Sequence, residues 1–414
     1  MNSIREPERQ TPVIKSADVV VIGGGTGGLV AAIAAARSGA KTLLIEQYGY
    51  LGGMATAALM NSFNGFRNEV EPNHVQTVKG IAQEIVDRLI DINAASGYTA
   101  HTQTKELKKG ESPYAVGFDP EALKIVALEM CLDAGVEILF HTLFCDVSVS
   151  GREVEAAVIE SKSGRGAVAG KVFVDATGDG DLAAKAGARF EKADKEKGNM
   201  MKVTLMYRVS GIPEPQSDER RLYVNGITTQ WGPWFGEIDG SDVEDLSQAE
   251  IRAHREIRKH FEGIKAKFPN AELLDSAAVI GVRETRRIIG EYTITEEDAL
   301  SGRPFDDSIA VCSNPVPTYY GERRFLAHLG FHIPYRSLVP ADLDNVILAG
   351  RCISASQPAF QAARSMAPLM AVSQASGTAA AMCAQRNFSP AKLEISRLQQ
   401  KLESDGCVIK VPAA

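Results

Sequence analysis

Gly23, Gly25 and Gly28 stand at G-x-G-x-x-G spacing, and an acidic residue, Glu46, follows them. Such glycines permit a tight turn, leave the backbone open to a pyrophosphate, and let a helix pack close to a strand, in that order. A carboxylate further along can accept hydrogen bonds from two ribose hydroxyls; it would repel a 2′-phosphate, which disfavours NADP there. The elements needed to position this site can be read around it. Val19–Ile22 is a continuous β-branched run, as expected of a strand buried on both faces. An alanine-rich helical pattern runs from Leu29 to Ser38, Gly39-Ala40 makes a turn, and Lys41 to Ile45 reads as a second strand with Glu46 at its tip. The helix N-terminus presents unpaired N–H groups and a partial positive charge to an anion.

Three further segments bear on which dinucleotide is held. Gly52-Gly53 follows Glu46 almost at once, within QYGYLGGMAT, and allows close approach of a second phosphate or a flat ring. Val172–Asp175 reads as a strand ending in Ala176-Thr177-Gly178; Gly178, Gly180 and Ala183 formally repeat the fingerprint, but Asp179 and Asp181 would set two negative charges against a pyrophosphate. One full fingerprint is therefore expected, without a dedicated NAD(P)H domain. Near the C-terminus the strand Val346–Ala349 leads through Gly350-Arg351 to a helix starting at about Ala367-Pro368, with Ala371, Ala375, Thr378 and Ala379 at helical spacing for close packing. This junction also aims N–H groups at something negative, and the N1–O2 edge of a reduced flavin suits it.

Together, GGGTGGLVAAIAAARSGAKTLLIE (23–46), LGGMAT (51–56), DATGDGDLA (175–183), GVRETRRIIGEYTITEED (281–298), IPYRSLVP (333–340) and AGRCISA (349–355) resemble the FAD-dependent oxidoreductases of the glutathione-reductase-related, succinate dehydrogenase/fumarate reductase-like class. The resemblance covers about residues 17–386. It implies that Gly23, Gly25, Thr26 and Gly28 hold the pyrophosphate and Glu46 the adenosine ribose, with Gln47 beside it. Gly52, Gly53, Met54, Ala55 and Thr56 would lie near the ribityl chain and ring. Phe144 or Cys145 would offer backbone to adenine, Thr177 and Gly178 would cover the adenosine side, and Gly350, Arg351, Met366, Ala367 and Leu369 would meet the flavin. Ser373 stands where the class usually has glycine. No His or Cys lies between Gln47 and Gly53, where covalent members attach their cofactor, so non-covalent FAD is expected. Cys352 beside the flavin reads as a small buried residue, with a redox or covalent role left open.

The fold expected is α/β: a Rossmann-like FAD-binding domain, a parallel sheet with a small β-meander at 143–161, made of 1–60, 118–189 and 336–414. A discontinuous mixed α+β substrate domain would take 61–117 and 190–335. Within it, 81–93 and 248–268 read as amphipathic helices.

Candidate chemistry lies where the substrate domain meets the flavin strand. In LGFHIPYRSLVP, His332, with a pKa near working pH, could act as general base and Tyr335 could hydrogen-bond a substrate oxygen; the competing reading is a packed core histidine and tyrosine. Arg283, Arg286 and Arg287 form the densest cation cluster. They could be an ion-pair network with Glu284 and Glu291, or Arg283 could grip a carboxylate substrate, with Arg364 serving the same end. The loop QWGPWFGEI at 230–238 either walls an apolar pocket or packs as core.

A net charge of −7, a pI of about 5.7 and no long basic run argue against nucleic acid. The six scattered cysteines and the polar N-terminal arm, without an apolar core, suit a reducing, cytoplasmic setting. Met366–Cys383 is too rich in small polar residues for a membrane span. No H-E-x-x-H, G-x-S-x-G or Walker A pattern occurs. The expected activity is a dehydrogenase or oxidase that passes hydride from a small organic substrate, an anion being one option, to flavin N5. The alternatives are a flavin-dependent C=C or carbonyl reductase and a non-catalytic flavin-binding protein. Expected partners are a small-molecule substrate and an electron acceptor (oxygen, a quinone or a redox partner), with homo-oligomerisation possible.

Overall fold

In the computed structural model, residues 4, 8–68, 75–97, 106–198, 200–216, 221–318, 322–326 and 328–411 are described, so part of the N-terminal arm lies outside them. Five parallel strands form the centre of the main sheet: β1 (Val13–Ile22), β2 (Thr42–Ile45), β3 (Glu137–Leu139), β6 (Gly164–Asp175) and β7 (Val346–Leu348). Their order is β3-β2-β1-β6-β7. The antiparallel meander of β4 (Leu143–Ser150) and β5 (Glu153–Ser161) pairs with the N-terminal part of β6.

The register has a functional consequence. Ile45 pairs with Leu139, Ile22 with both Ile45 and Asp175, and Leu348 with Asp175. All five parallel strands thus end in one row, and the five loops that leave that row come together on one edge, where ligands of open α/β sheets bind. Hydrophobic pattern explains the arrangement: Val19, Val20, Val21, Leu44, Val174 and Ile347 are fully buried, as strands covered on both faces require.

Helices α1 (Thr26–Arg37) and α3 (Met366–Arg386) pack against each other on the sheet. Contact is close because Gly377 has no Cβ; one would sit 2.0 Å from the Ala31 carbonyl oxygen. Helix α2 (Pro120–Asp133) begins as its sequence dictates: the Asp119 carboxylate accepts from the Glu121 N–H at 2.9 Å, and Pro120 opens the first turn.

A second core is built by an antiparallel sheet in the order 222–224, 227–230, 207–210, 272–276, covered by the helix Val243–Lys267. That helix buries Ala249, Ala253 and Ile257 and packs Leu246, Phe261 and Ile264 half-buried against the same core, while most of its charged residues face solvent. The second core draws on Leu59 and on residues 203–282. Phe63, Phe66, Ile81 and Val116, and likewise Ile309 and Phe331, belong instead to the core of the main sheet. Segments 61–117 and 288–335 therefore share a core with the parallel sheet, although sequence patterning groups them with the substrate domain. The strands Ala115–Phe118, Ser308–Cys312 and Phe331–Pro334 bury every residue and so carry no exposed face to reveal which core they join.

Candidate active site

The loops at the sheet edge and one flank of the second core enclose a cavity of about 610 Å³. The glycines explain its floor. Gly23 adopts φ +97°, and a Cβ there would lie 2.6 Å from the Ala176 carbonyl oxygen. A Cβ on Gly28 would stand 1.7 Å from the Gly23 carbonyl oxygen. At Gly25 the nearest atom to a Cβ would be the Gly53 Cα at 3.9 Å, and this glycine borders the cavity. The outer two glycines are thus required by the fold, and the middle one is free for a ligand. The second glycine pair seats on the first loop: the Gly52 N–H donates to the Gly24 carbonyl at 2.8 Å, and Gly53 lies at φ +52°.

Glu46 is buried and borders the cavity; its carboxylate accepts from the N–H groups of Gly24 at 2.6 Å and Tyr48 at 2.8 Å. Burial raises its pKa despite those bonds. A carboxylate has about four acceptor positions, so two remain for ribose hydroxyls. On the β6 loop, buried Asp175 accepts from the Thr177 hydroxyl at 2.8 Å and the Ala183 N–H at 2.9 Å, which shapes Thr177-Gly178. Burial pushes its pKa up to about 6. Arg351 ties this loop to the second core, donating to the Gly178 carbonyl at 3.0 Å, to the Val282 carbonyl and to Asp179. Helix α3 starts at the cavity, where Ser365, Met366 and Leu369 line it.

Of the residues expected to hold cofactor, Gly23, Gly25, Thr26, Glu46, Gln47, Gly53, Met54, Phe144, Thr177, Gly178, Gly350, Arg351, Met366 and Leu369 border this one cavity. Gly28, Gly52, Ala55, Thr56, Cys145 and Ala367 stand behind it. Thr56, for example, donates to the Leu51 carbonyl at 2.9 Å and so braces the second glycine loop. Cys352 is buried behind the wall, its thiol 3.5 Å from the Asp175 carbonyl oxygen, with its pKa raised well above the usual value by burial.

The catalytic candidates divide. His332 and Tyr335 do not border the cavity. His332 lies in the strand Phe331–Pro334, paired with Ser308–Cys312, and its ring nitrogens face the N–H groups of Val411 at 3.0 Å and Phe305 at 3.3 Å. A neutral imidazole accepts one of these, and burial lowers its pKa. The Tyr335 hydroxyl donates to the Pro390 carbonyl at 3.1 Å, and burial raises its pKa. The strand is buried on both faces, so the alternation in its sequence does not open one face to the cavity.

Arg283 and Arg364 do border it. Arg286 pairs with Asp181 at 2.8 Å, and buried Arg287 pairs with Glu284, so these two form the structural network. Among the described residues Arg283 and Arg364 have no carboxylate partner, and the Arg364 Nε has no hydrogen-bond acceptor. Burial, then Arg283 and Arg351 nearby, push the Arg364 pKa down to about 9; burial also lowers that of Arg283. Sequence reasoning did not single out Met206, Glu250 or Asn64, which also line the cavity. The Ser62 hydroxyl donates to the Asn64 Oδ1 at 2.7 Å, which leaves the Asn64 amide nitrogen for a ligand. Glu250 accepts from the Ile280 N–H at 2.6 Å. No motif marks any of the three; Glu250 sits in a helix that reads as a solvated charge stripe.

The family model described as FAD dependent oxidoreductase matches residues 18–239 and 218–402. The chain belongs to that family. FAD is thus its cofactor, and the residues fit it: an open glycine between two closed ones, an acidic residue at the β2 tip, and a long helix beginning at the cavity's far wall. Among curated proteins, this FAD-dependent oxidoreductase is 57% identical over 42 residues to a dihydrolipoyl dehydrogenase of Trypanosoma brucei brucei (10% of this chain, 9% of that one). It is 32% identical over 143 residues to a thiamine thiazole synthase of Aeropyrum pernix (34% of this chain, 43% of that one). The matches span less than half the length of either relative. Among solved structures, a flavin-dependent brominase aligns with a TM-score of 0.53 at 13% identity, over 94% of this chain and 84% of that one, a likeness of fold. Among the described residues no helix is long and apolar enough to cross a membrane, and no side-chain cluster suits a metal ion.

Proposed function

We propose that this FAD-dependent oxidoreductase dehydrogenates a small organic anion, as a dehydrogenase or oxidase. The observation that carries the reading is the pair Arg283 and Arg364: two half-buried guanidinium groups on one cavity, neither within ion-pair distance of a carboxylate among the described residues. Leaving a buried donor such as the Arg364 Nε unpaired is costly, so the pair suits a ligand that supplies the missing acceptor and charge. Bound FAD supplies the two-electron acceptor. The chain's part is to bind and orient. The arginines hold the acid group by forked hydrogen bonds, the Asn64 amide donates to a substrate oxygen, and Met60, Met206 and Leu369 exclude water from the reacting carbon. His332 and Tyr335 serve the packing of the strand that carries them.

A second reading, a flavin-dependent C=C or carbonyl reductase, has one observation in its favour. The Arg364 Nε, a buried donor on the cavity without an acceptor among the described residues, suits hydrogen bonding to the oxygen of an unsaturated or oxo acid as it is reduced. Anaerobic mixing of the FAD-loaded protein with hydroxy acids, amino acids, amines and alcohols decides between them. Dehydrogenation predicts that an acid, and not the matching ester, bleaches the flavin absorbance. If no donor bleaches it, but dithionite-reduced protein is reoxidised without oxygen by an unsaturated or oxo acid, the reductase reading replaces the first.

A further inference from the structure

Both of the chain's tryptophans stand in one wall of the cavity region. Trp231 borders the cavity, and Trp234 stacks on it with ring centroids 5.3 Å apart and planes within 20°. The outer ring is 41% exposed, and the Arg283 guanidinium lies 5.0 Å from its centre. Gly232, between the two, is pinned to the adjacent strand, since a Cβ there would fall 1.9 Å from the Leu205 carbonyl oxygen. The backbone beneath Trp231 is thus fixed, and Trp234, itself beside Arg283, covers the ring by stacking on it. A ring so braced costs little ordering entropy when a second ring stacks on it. Met60 and Met206 offer soft contacts to a ring edge. An aliphatic acid would need only the methionines and Leu369, not a braced indole.

We infer that the pocket selects an aromatic carboxylate, whose ring lies against Trp231 while Arg283 and Arg364 hold its acid group. This rests on the anion reading above and adds the shape of the body the anion carries.

The test uses the FAD-loaded protein and follows the oxidised-flavin difference spectrum and tryptophan fluorescence during titration with phenylacetate, cyclohexylacetate and methyl phenylacetate. Phenylacetate should bind about tenfold more tightly than its saturated analogue, the size expected of one ring–ring contact. Trp231→Leu should level the two acids, and Trp231→Phe should keep the preference. Equal binding of the two acids to the unaltered protein overturns the aromatic inference and leaves the anion reading standing. Equal binding of phenylacetate and its ester overturns the anion reading. If no probe binds, both fall. If the leucine and phenylalanine variants both fold yet lose FAD, the indole belongs to the cofactor and the inference is wrong.

Discussion

Single residues decide the chemistry in this cavity through the partners they lack. Replacing Arg364 or Arg283 by methionine should weaken binding of a carboxylate ligand by about 10- to 100-fold, the range for a hydrogen bond to a charged group. FAD content should stay unchanged, checked by absorbance after gel filtration. Loss of FAD instead would mean that these arginines serve the cofactor. Asp175 makes a prediction of opposite character. Its folded pKa, about 6, lies above the ordinary 3.8, so the folded state holds the proton more tightly. Stability from this group therefore grows as pH falls from about 6 toward 3.8 and is lost as pH rises above 6, a span of about 3 kcal/mol at most. Urea unfolding should show the native protein gaining on Asp175→Asn between pH 7 and pH 5. A pH-independent difference would show that Asp175 keeps its ordinary acidity.

At the scale of elements, the glycine loop separates what the fold needs from what the ligand needs. Gly28→Ala forces a Cβ to within 1.7 Å of the Gly23 carbonyl oxygen, so α1 must leave β1, and little folded protein should be recovered. Gly25→Ala meets nothing nearer than 3.9 Å and should fold with a melting temperature close to that of the native apoprotein, yet fail to retain FAD. Equal behaviour of the two variants in circular dichroism and flavin content would refute this division. These elements were legible in the sequence because each carries its own local signal: the β-branched run at 19–22, the Asp119-Pro120 helix start, and the small residues of α3. The structure extends β1 back to Val13, where exposed residues hide a strand whose pairing comes from distant β6, and extends β6 back to Gly164, where it continues the hairpin from β5. His332 and Tyr335 show the opposite failure. Their alternation suggested one open face, but packing from both sides closed it, and no local pattern reports what arrives on the far side of a strand.

Across the whole molecule, the cavity is shared between two hydrophobic cores that are linked there by Arg351, Arg286 and Thr285 reaching from one loop to the other. A ligand lying along that seam stabilises both sides, in proportion to its occupancy. Scanning calorimetry should therefore show the apoprotein melting in two transitions, with FAD merging them and raising the lower one. A single unchanged transition with and without FAD would mean that the cores are already fully coupled. The row of strand ends explains why most of the residues expected to hold FAD meet on one cavity: each loop begins where a recognisable strand stops. The proposed substrate side draws on 203–283 together with Met60, Asn64, Arg364 and Leu369; Met206, Trp231 and Arg283 are brought together only by tertiary packing, so the sequence marks only the arginines and the tryptophan loop, and only as alternatives.

The central claim is that unpaired arginines, held on a cavity beside the cofactor, take an organic anion. Its most direct measurement compares the FAD-loaded protein's affinity for a carboxylic acid and for its isosteric neutral amide, phenylacetate against phenylacetamide, by flavin difference absorbance. The acid should bind at least about tenfold more tightly, and Arg364→Met should erase the difference; amide and acid binding alike to the unaltered protein would contradict the account.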